Sequence, residues 1–217
     1  MTIHWIFDPL PPLSFDVLLV DPPWTFKLRS PKGERKSAQA QYSCMSMEAI
    51  AKLPVSHLAR GDCLLFLWCT WPLIDQQLKV MQAWGFRYVT GGVWRKMTKH
   101  GKVAFGTGYR VRSACEPWLL GVIGNPETKA DRNIFDGTVR QHSRKPEDAY
   151  AWCETFVPGA LRRAELFARE SRLGWDSWGL EAGKFDVVDN QDLHDVQNHQ
   201  TSHGSKLLSA PGVQVGV

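Results

Sequence analysis

Apolar positions along the chain fall into short runs ended by breakers, with helical stripes between some of them. Phe15-Asp16-Val17-Leu18-Leu19-Val20 is nearly continuous and is closed by Asp21-Pro22-Pro23. A run that is apolar on both faces and stopped by prolines predicts a strand buried within a parallel sheet. Cys63-Leu64-Leu65-Phe66-Leu67-Trp68 reads the same way. Pro72 then predicts a helix start, with Leu73, Ile74, Leu78, Met81 and Trp84 at helical spacing and Gly85 as its stop. Phe86 to Trp94 and Trp118 to Ile123 supply two more strands. Pro146-Glu147-Asp148 puts a proline and two acids into a first helical turn, with Trp152 and Phe156 on the buried side. Ala164 to Ala168 is a late strand. Strands alternating with helices predict a doubly wound, mostly parallel α/β sheet with one core and no internal repeat. Ligands of such sheets bind at the carboxyl ends of the strands.

Residues 25–41 and 95–114 fit neither period. Both are polar, basic and rich in Gly, Ser and Lys, and both read as long loops of the functional kind. From about Asp186 onward the chain is polar, with clustered Gln, Asn, His and Ser, and reads as a disordered tail. Residues 1–185 are then the folded domain and 186–217 an appendage. With 217 residues, 43% hydrophobic, there is enough apolar side chain for a packed core, which excludes disorder for the bulk of the chain. No apolar run approaches the ~18 residues of a membrane span. Nor does a basic segment lead into an apolar one at the N-terminus, so a soluble cytoplasmic protein is expected, with no membrane partner. The five cysteines form no CxxC pair and no cluster with histidine, so no metal is expected.

Charge alters the picture in its distribution. The whole chain carries +4, and the stretch from Asp186 holds four acids and one base, leaving +7 on residues 1–185. A basic globule with an acidic tail suits a polyanionic partner. Residues 95–114 contain Arg95, Lys96, Lys99, Lys102, Arg110 and Arg112 and no acid. Residues 25–41 add Lys27, Arg29, Lys32, Arg35 and Lys36 against Glu34. Both follow strands aimed at the expected cleft, as a clamp for a phosphate backbone would; a merely solvated face is the alternative.

The most informative residues are Asp21-Pro22-Pro23-Trp24. A strand end fixes the backbone there, and two prolines stiffen it. Asp21 becomes an acceptor at the mouth of the cleft, and the carbonyls of Asp21 and Pro22 are expected to lack a local turn partner. Trp24 offers a flat apolar surface. A carboxylate, a carbonyl and an aromatic plate suit a planar base with an exocyclic amine, the acceptors taking its two hydrogens and the plate stacking on the ring. The alternative is a strand-ending turn with Trp24 as a core plug.

With DPPW at residues 21–24 the sequence resembles the MT-A70 type of adenine N(6)-methyltransferase, in its bacterial and phage form. Further matches follow in order: Tyr42 in Gln-Tyr-Ser-Cys-Met, Leu65-Phe66-Leu67-Trp68, Val93-Trp94-Arg95-Lys96, and Gly106-Thr107-Gly108-Tyr109. Glu116 leads on to Gly121-Val122-Ile123-Gly124-Asn125-Pro126. His142-Ser143-Arg144-Lys145-Pro146, Glu165-Leu166-Phe167-Ala168-Arg169, and Gly174-Trp175 with Trp178-Gly179 complete the series. The resemblance spans about Phe15 to Glu181. It implies a Rossmann-like methyltransferase fold of permuted order that uses S-adenosylmethionine. Asp21 to Trp24 would be catalytic, Asp21 also lying against the cofactor. The cofactor's methionine carboxylate would fall to Lys145, its adenosyl end to Glu165, Leu166, Phe167 and Arg169, and its ribose to Glu181. The family often has Asn one position before that last residue, where this chain has Leu180. Asp8 is a candidate for the cofactor's adenine edge.

The resemblance also implies a substrate side. Tyr42 would flank a flipped base, with a tyrosine at a helix entry as the alternative. Lys96 and Glu116 would line the site. Lys96 could instead be a solvated charge, but an unpartnered carboxylate at Glu116, heading an apolar strand, would be costly. Trp94, Lys99, Lys102, Tyr109 and Arg110 complete the substrate contacts. The expected reaction is methyl transfer to the exocyclic amine of adenine in nucleic acid, with DNA favoured over RNA. A catalytically degenerate nucleic-acid-binding subunit, in a homo- or hetero-oligomer, is the other reading. Amide or cytosine methyltransferases generally carry Asn-Pro-Pro-Tyr, and Asp21 with Trp24 argues against them.

Overall fold

The computed structural model describes residues 4–25, 44–106, 110–141 and 144–186. The expected loop 25–41 and the tail beyond Asp186 therefore lie outside the described residues, apart from Thr25. Seven strands form one sheet in the order β5-β3-β4-β2-β1-β6-β7. They are β1 Phe15–Val20, β2 Ala59–Trp68, β3 Arg87–Met97, β4 Cys115–Ile123, β5 Ile134–Thr138, β6 Arg163–Leu166 and β7 Asp176–Trp178. The helices are α1 Met47–Ala51, α2 Ile74–Ala83 and α3 Glu147–Phe156. This is the expected α/β class.

The core is split by the sheet because β1 is buried along its whole length, and alternate residues point to opposite faces. Leu18 and Val20 join Leu65, Leu67, Met81 and Trp84 on the face covered by α1 and α2. Val17 and Leu19 join Phe66, Trp118, Tyr150 and Trp152 on the face covered by α3. The Trp84 indole N–H donates to the Ile50 carbonyl at 2.9 Å and ties the end of α2 to α1. Ser46 caps α1 by accepting the Ala49 N–H at 3.2 Å. Gly85, at φ 83°, reverses the chain after α2, a conformation that glycine adopts without a Cβ clash.

Register brings the strand ends together. Val20 lies opposite Leu67 on β2 and Leu166 on β6, so three parallel strands finish at one level. β4 runs antiparallel between β2 and β3, pairing Trp68 with Trp118 and Trp94 with Glu116. Its first residues thus stand at the edge where the parallel strands end.

The sequence expectations need five amendments. β4 is antiparallel to both of its neighbours, a property that apolar runs do not encode. β5 and β7 are additional to the expected strands, the one short and largely exposed and the other three residues long. Residues 95–114 are not one loop. β3 continues to Met97, which bridges back to Val103, and the Gly106 N–H donates to the Ser113 carbonyl at 2.7 Å. The turn at Pro72 is 3₁₀ over Trp71–Leu73 before α2 begins, and β6 stops at Leu166 because Phe167 takes a positive φ of 63°.

Candidate active site

Asp21 is the first residue beyond β1, and its N–H continues the ladder to the Leu166 carbonyl at 3.3 Å. Its carboxylate meets the Lys145 ammonium at 3.1 Å. Lys145 lies just before α3 and also pairs with Glu116, whose other oxygen takes the Lys96 ammonium at 2.9 Å. Four charges from four separate segments form an alternating chain, Lys96–Glu116–Lys145–Asp21. Both cations lie over indoles, Lys145 at 4.8 Å from the Trp68 ring and Lys96 at 5.0 Å from Trp94. Trp94 is held by its N–H on the Gly137 carbonyl at 2.8 Å. A Cβ at Gly137 would meet Pro146 at 2.6 Å and the Trp94 nitrogen at 2.8 Å, so only glycine lets these elements close up.

The two carboxylates of the chain differ. Burial pushes Asp21 above the usual carboxylate range; Lys145 opposes this and the Glu116 charge reinforces it. Burial acts on Glu116 too, but Lys145 and then Lys96 overcome it and hold it down at about 2. Burial would lower Lys145, yet Asp21 and Glu116 raise it above the ordinary lysine value. Asp21 is therefore the member of the chain whose charge is most readily altered by a ligand.

A second carboxylate faces the same hollow from β6. Glu165 is buried and accepts the Tyr150 hydroxyl on Oε1 at 2.9 Å, while Oε2 has no hydrogen-bond partner. Burial pushes it up to about 8. Asp21, Lys145, Tyr150, Glu165, Phe167 and Arg169 line this small hollow. It adjoins a wider cleft of about 490 Å³ walled by Arg144, Glu147, Tyr150, Glu170 and Arg172. Glu170 is the hub of that wall, bound by Arg144 at 2.5 Å, Arg172 at 3.0 Å and Arg140 at 3.3 Å. The Arg172 guanidinium also stacks on Tyr150 at 3.7 Å.

The structure brings together Asp21, Lys96, Glu116, Lys145, Glu165, Phe167 and Arg169. Glu181 joins the edge of this group through Arg169 at 3.5 Å. Three sequence expectations are corrected. Trp24 is 4% exposed, packed in the core, with its N–H on the Trp68 carbonyl at 3.1 Å; it is not an open stacking plate. The Pro22 carbonyl is not without a turn partner, because it accepts the Trp24 N–H at 2.8 Å. Trp94 is likewise a 4% exposed core residue whose visible role is to seat Lys96. The Leu166 side chain is fully buried in the core, and its carbonyl takes the Asp21 N–H. Pro23 sits in the loop with its carbonyl taking the Met45 N–H. Lys99, Lys102, Arg110 and Asp8 are exposed. Tyr42 and Tyr109 lie outside the described residues.

Sequence reasoning does not single out Trp68, Arg144, Tyr150, Glu170 or Arg172 as site residues. Arg144 and Tyr150 flank Lys145 closely enough to be suspected, but their partners are supplied by β6 and the segment after it. Among the described residues no group of three His, Cys, Asp or Glu could hold a metal ion, and no helix is long and apolar enough to cross a membrane.

A mostly parallel seven-stranded sheet, layered by helices and carrying its polar cluster at the carboxyl edge, defines a Rossmann-like methyltransferase fold. The MT-A70 family model matches residues 15–181, and the chain belongs to that family. It is 31% identical over 196 residues to the type II methyltransferase M.MunI of a Mycoplasma species, covering 81% of each chain. It is 30% identical to the human N(6)-adenine-specific methyltransferase METTL4, over 81% of this chain and 39% of that protein. With METTL3, the catalytic subunit of human N(6)-adenosine-methyltransferase, it shares 26% identity over 91% of this chain and 33% of the relative. The chain thus spans most of the Mycoplasma protein but well under half of the two human ones.

Proposed function

We propose that this chain transfers a methyl group from S-adenosylmethionine to the N(6) amine of adenine in nucleic acid, with DNA the favoured substrate. The observation that carries the reading is Asp21, a carboxylate at the end of the central buried strand, anchored on one side by Lys145 and backed by a hollow that ends at Glu165. Family membership supports the reaction. The preference for DNA is supported by the likeness to the type II methyltransferase M.MunI, which this chain covers over 81% of its length.

The residues fit the cofactor. An ammonium and a carboxylate side by side, Lys145 and Asp21, complement the zwitterionic head of an amino acid. The orphaned Glu165 Oε2 has no partner, and a sugar hydroxyl, which both donates and accepts, can satisfy it whether the carboxyl is protonated or ionised. Lys145 would hold the carboxylate and Glu165, Phe167 and Arg169 the adenosyl end, with Glu181 at the ribose. When bound, the cofactor supplies an electrophilic methyl group on sulfur.

The chain's own part is to make the amine a nucleophile. The amine's lone pair is delocalised into the ring, so its hydrogens must be held in a way that favours a pyramidal nitrogen. Asp21 accepts one N–H. The Pro22 carbonyl, already taking the Trp24 N–H, keeps one lone pair for the other. Positive charge grows on the nitrogen as the new bond forms, and the Asp21 carboxylate stabilises it electrostatically. The methylated amine is strongly acidic, so a strong base is not required of Asp21. Lys96 and Glu116 stand on the substrate side, and the basic residues beyond β3 meet the phosphate backbone. Residues 1–185 serve as the methyltransferase domain of a cytoplasmic enzyme.

The test uses tritiated S-adenosylmethionine and adenine-containing single-stranded DNA, duplex DNA and RNA, with the products digested to nucleosides. Label in N(6)-methyladenine, highest on DNA, is expected. Higher label on RNA would reverse the substrate preference. Absence of label on all three, together with failure to bind the cofactor by calorimetry, would replace the enzyme with a nucleic-acid-binding subunit.

A further inference from the structure

Beyond β3 the chain forms a small hairpin whose surface combines two features. One is charge. Arg95 is paired with Asp136 at 2.5 Å, but Lys99, Lys102, Arg110 and Arg112 have no carboxylate partner among the described residues. The other is an exposed aromatic ring. Phe105 is 59% exposed, with Val103 and Val111 also open to solvent. The Arg112 guanidinium lies 4.2 Å from the Phe105 ring centroid, and its Nε–H donates to the Gly106 carbonyl at 3.3 Å. The ring is thus held on one side by a planar cation and open on the other.

The hairpin is tied to the active site. The Ala104 N–H donates to the Lys96 carbonyl at 2.8 Å, and the Lys96 N–H to the Ala114 carbonyl at 2.9 Å. The side chain of the same lysine begins the chain of charges that ends at Asp21. Phe105 follows Ala104 directly, so its backbone is one residue away from the hydrogen bond to Lys96.

We propose that Phe105, backed by Arg112, is a stacking platform for an unpaired base next to the methylated one, so that the enzyme engages single-stranded nucleic acid. This rests on the methyltransferase reading for its biological sense, but the binding itself does not. An exposed aromatic ring among cations that track a backbone is how proteins hold single strands without reading sequence. The charge complementarity selects nucleic acid over an apolar protein partner as the occupant. In a duplex the only free face beside a flipped base lies inside the helix, whereas an unpaired strand can offer its bases to an exposed ring.

The experiment measures affinity of the full chain for a thymine-only single-stranded DNA, without cofactor, across a salt series. Phe105→Ala should weaken binding by about 5- to 160-fold, the range for loss of one base–aromatic stack. The slope of affinity against salt should stay unchanged, because no charge is removed. Phe105→Trp should bind at least as well as the parent, and Phe105→Leu as poorly as the alanine variant. Duplex DNA should be affected little by any of them. Unchanged affinity in Phe105→Ala, or full affinity in Phe105→Leu, would overturn the platform. So would a parent dimer that Phe105→Ala splits in sedimentation while DNA binding holds, since the patch would then be a protein interface. If the platform binds thymine strands as expected and no adenine is ever methylated, the functional reading fails and the platform stands.

Discussion

Glu116 and Glu165 are both largely buried glutamates at the carboxyl edge of one sheet, and their surroundings drive them in opposite directions. Glu116 touches two ammoniums and is held near 2. Glu165 touches a phenol, keeps one oxygen without a partner and rises to about 8. Burial penalises both, so burial does not decide the outcome; the nearest partners do. One carboxylate is satisfied internally and serves to hold lysines. The other is left with one oxygen unpartnered, as expected of a residue whose partner arrives with a ligand.

The sharpest test of the self-satisfied side is to remove the member of the chain that faces the reaction. Asp21→Ala should lower methyl transfer by about 10²- to 10³-fold, the scale on which loss of one preorganised electrostatic partner acts. Nucleic-acid binding, measured by filter retention, should persist. If binding and transfer disappear together with the folded state intact, Asp21 organises the nucleic-acid surface and has no special role at the amine.

Lys145 is the hub, so its loss should damage the fold as well as the reaction. Lys145→Met leaves Asp21 and Glu116 facing each other, with Lys96 beside Glu116 and the more distant Arg169 acting on Asp21 as the remaining counter-charges. Breaking a buried pair from one side costs about 3 kcal/mol, which urea unfolding would register. Adding Asp21→Asn and Glu116→Gln to that variant should restore most of the stability without restoring activity. A triple variant as unstable as the single one would mean that Lys145 acts through packing on Trp68.

Glu165 offers the opposite signature. Its carboxyl titrates at about 4.5 when unfolded and about 8 when folded, so between those values the folded state keeps a proton that the unfolded state releases. Stability should therefore fall as pH rises through that window, by about 2–3 kcal/mol from pH 5 to 7 at 1.36 kcal/mol per unit. Glu165→Gln should flatten the dependence. Glu116, held low, contributes stability above about 4.5 that is lost as pH falls toward about 2. Opposite slopes from two glutamates of one site, read by thermal melts, would express the comparison directly. Equal behaviour would refute it.

Much of this is legible in the sequence, and the exceptions share a cause. The buried strand before Asp21, the helix opened at Pro146 and the basic stretch after Trp94 follow from local pattern and turn chemistry. Lys145 and Glu116 can be named as candidates. Their contact cannot, since it depends on β4 lying antiparallel between β2 and β3. Direction of pairing leaves no mark on an apolar run such as Trp118 to Ile123. Trp24 reads as an open plate because an indole after a proline loop looks the same in sequence whether its N–H finds water or the Trp68 carbonyl. Arg172 and Glu170 stay invisible for a similar reason. They sit in an unpatterned segment after β6, and only the fold brings them against Arg144 and Tyr150.

The smallest effect separates buried from exposed charge. Lys99, Lys102 and Arg110 lie on the surface beyond β3, where solvent screens them and no carboxylate among the described residues holds them. Changing all three to glutamine should leave the unfolding free energy within about 0.5 kcal/mol of the parent, as surface substitutions do. Lys145→Met, a single cation, should cost several times more. In nucleic-acid binding the order reverses. Taking one cation away from the phosphates of a single strand lowers the salt slope by about 0.7, so the triple variant should bind with a visibly flatter dependence on salt. Lys145→Met should leave that slope unchanged, since its charge is already matched by Asp21 and Glu116 inside the protein. A triple variant with an unchanged slope would remove the clamp from the surface beyond β3. A flattened slope in Lys145→Met would show instead that the buried chain of charges opens and meets the phosphates itself.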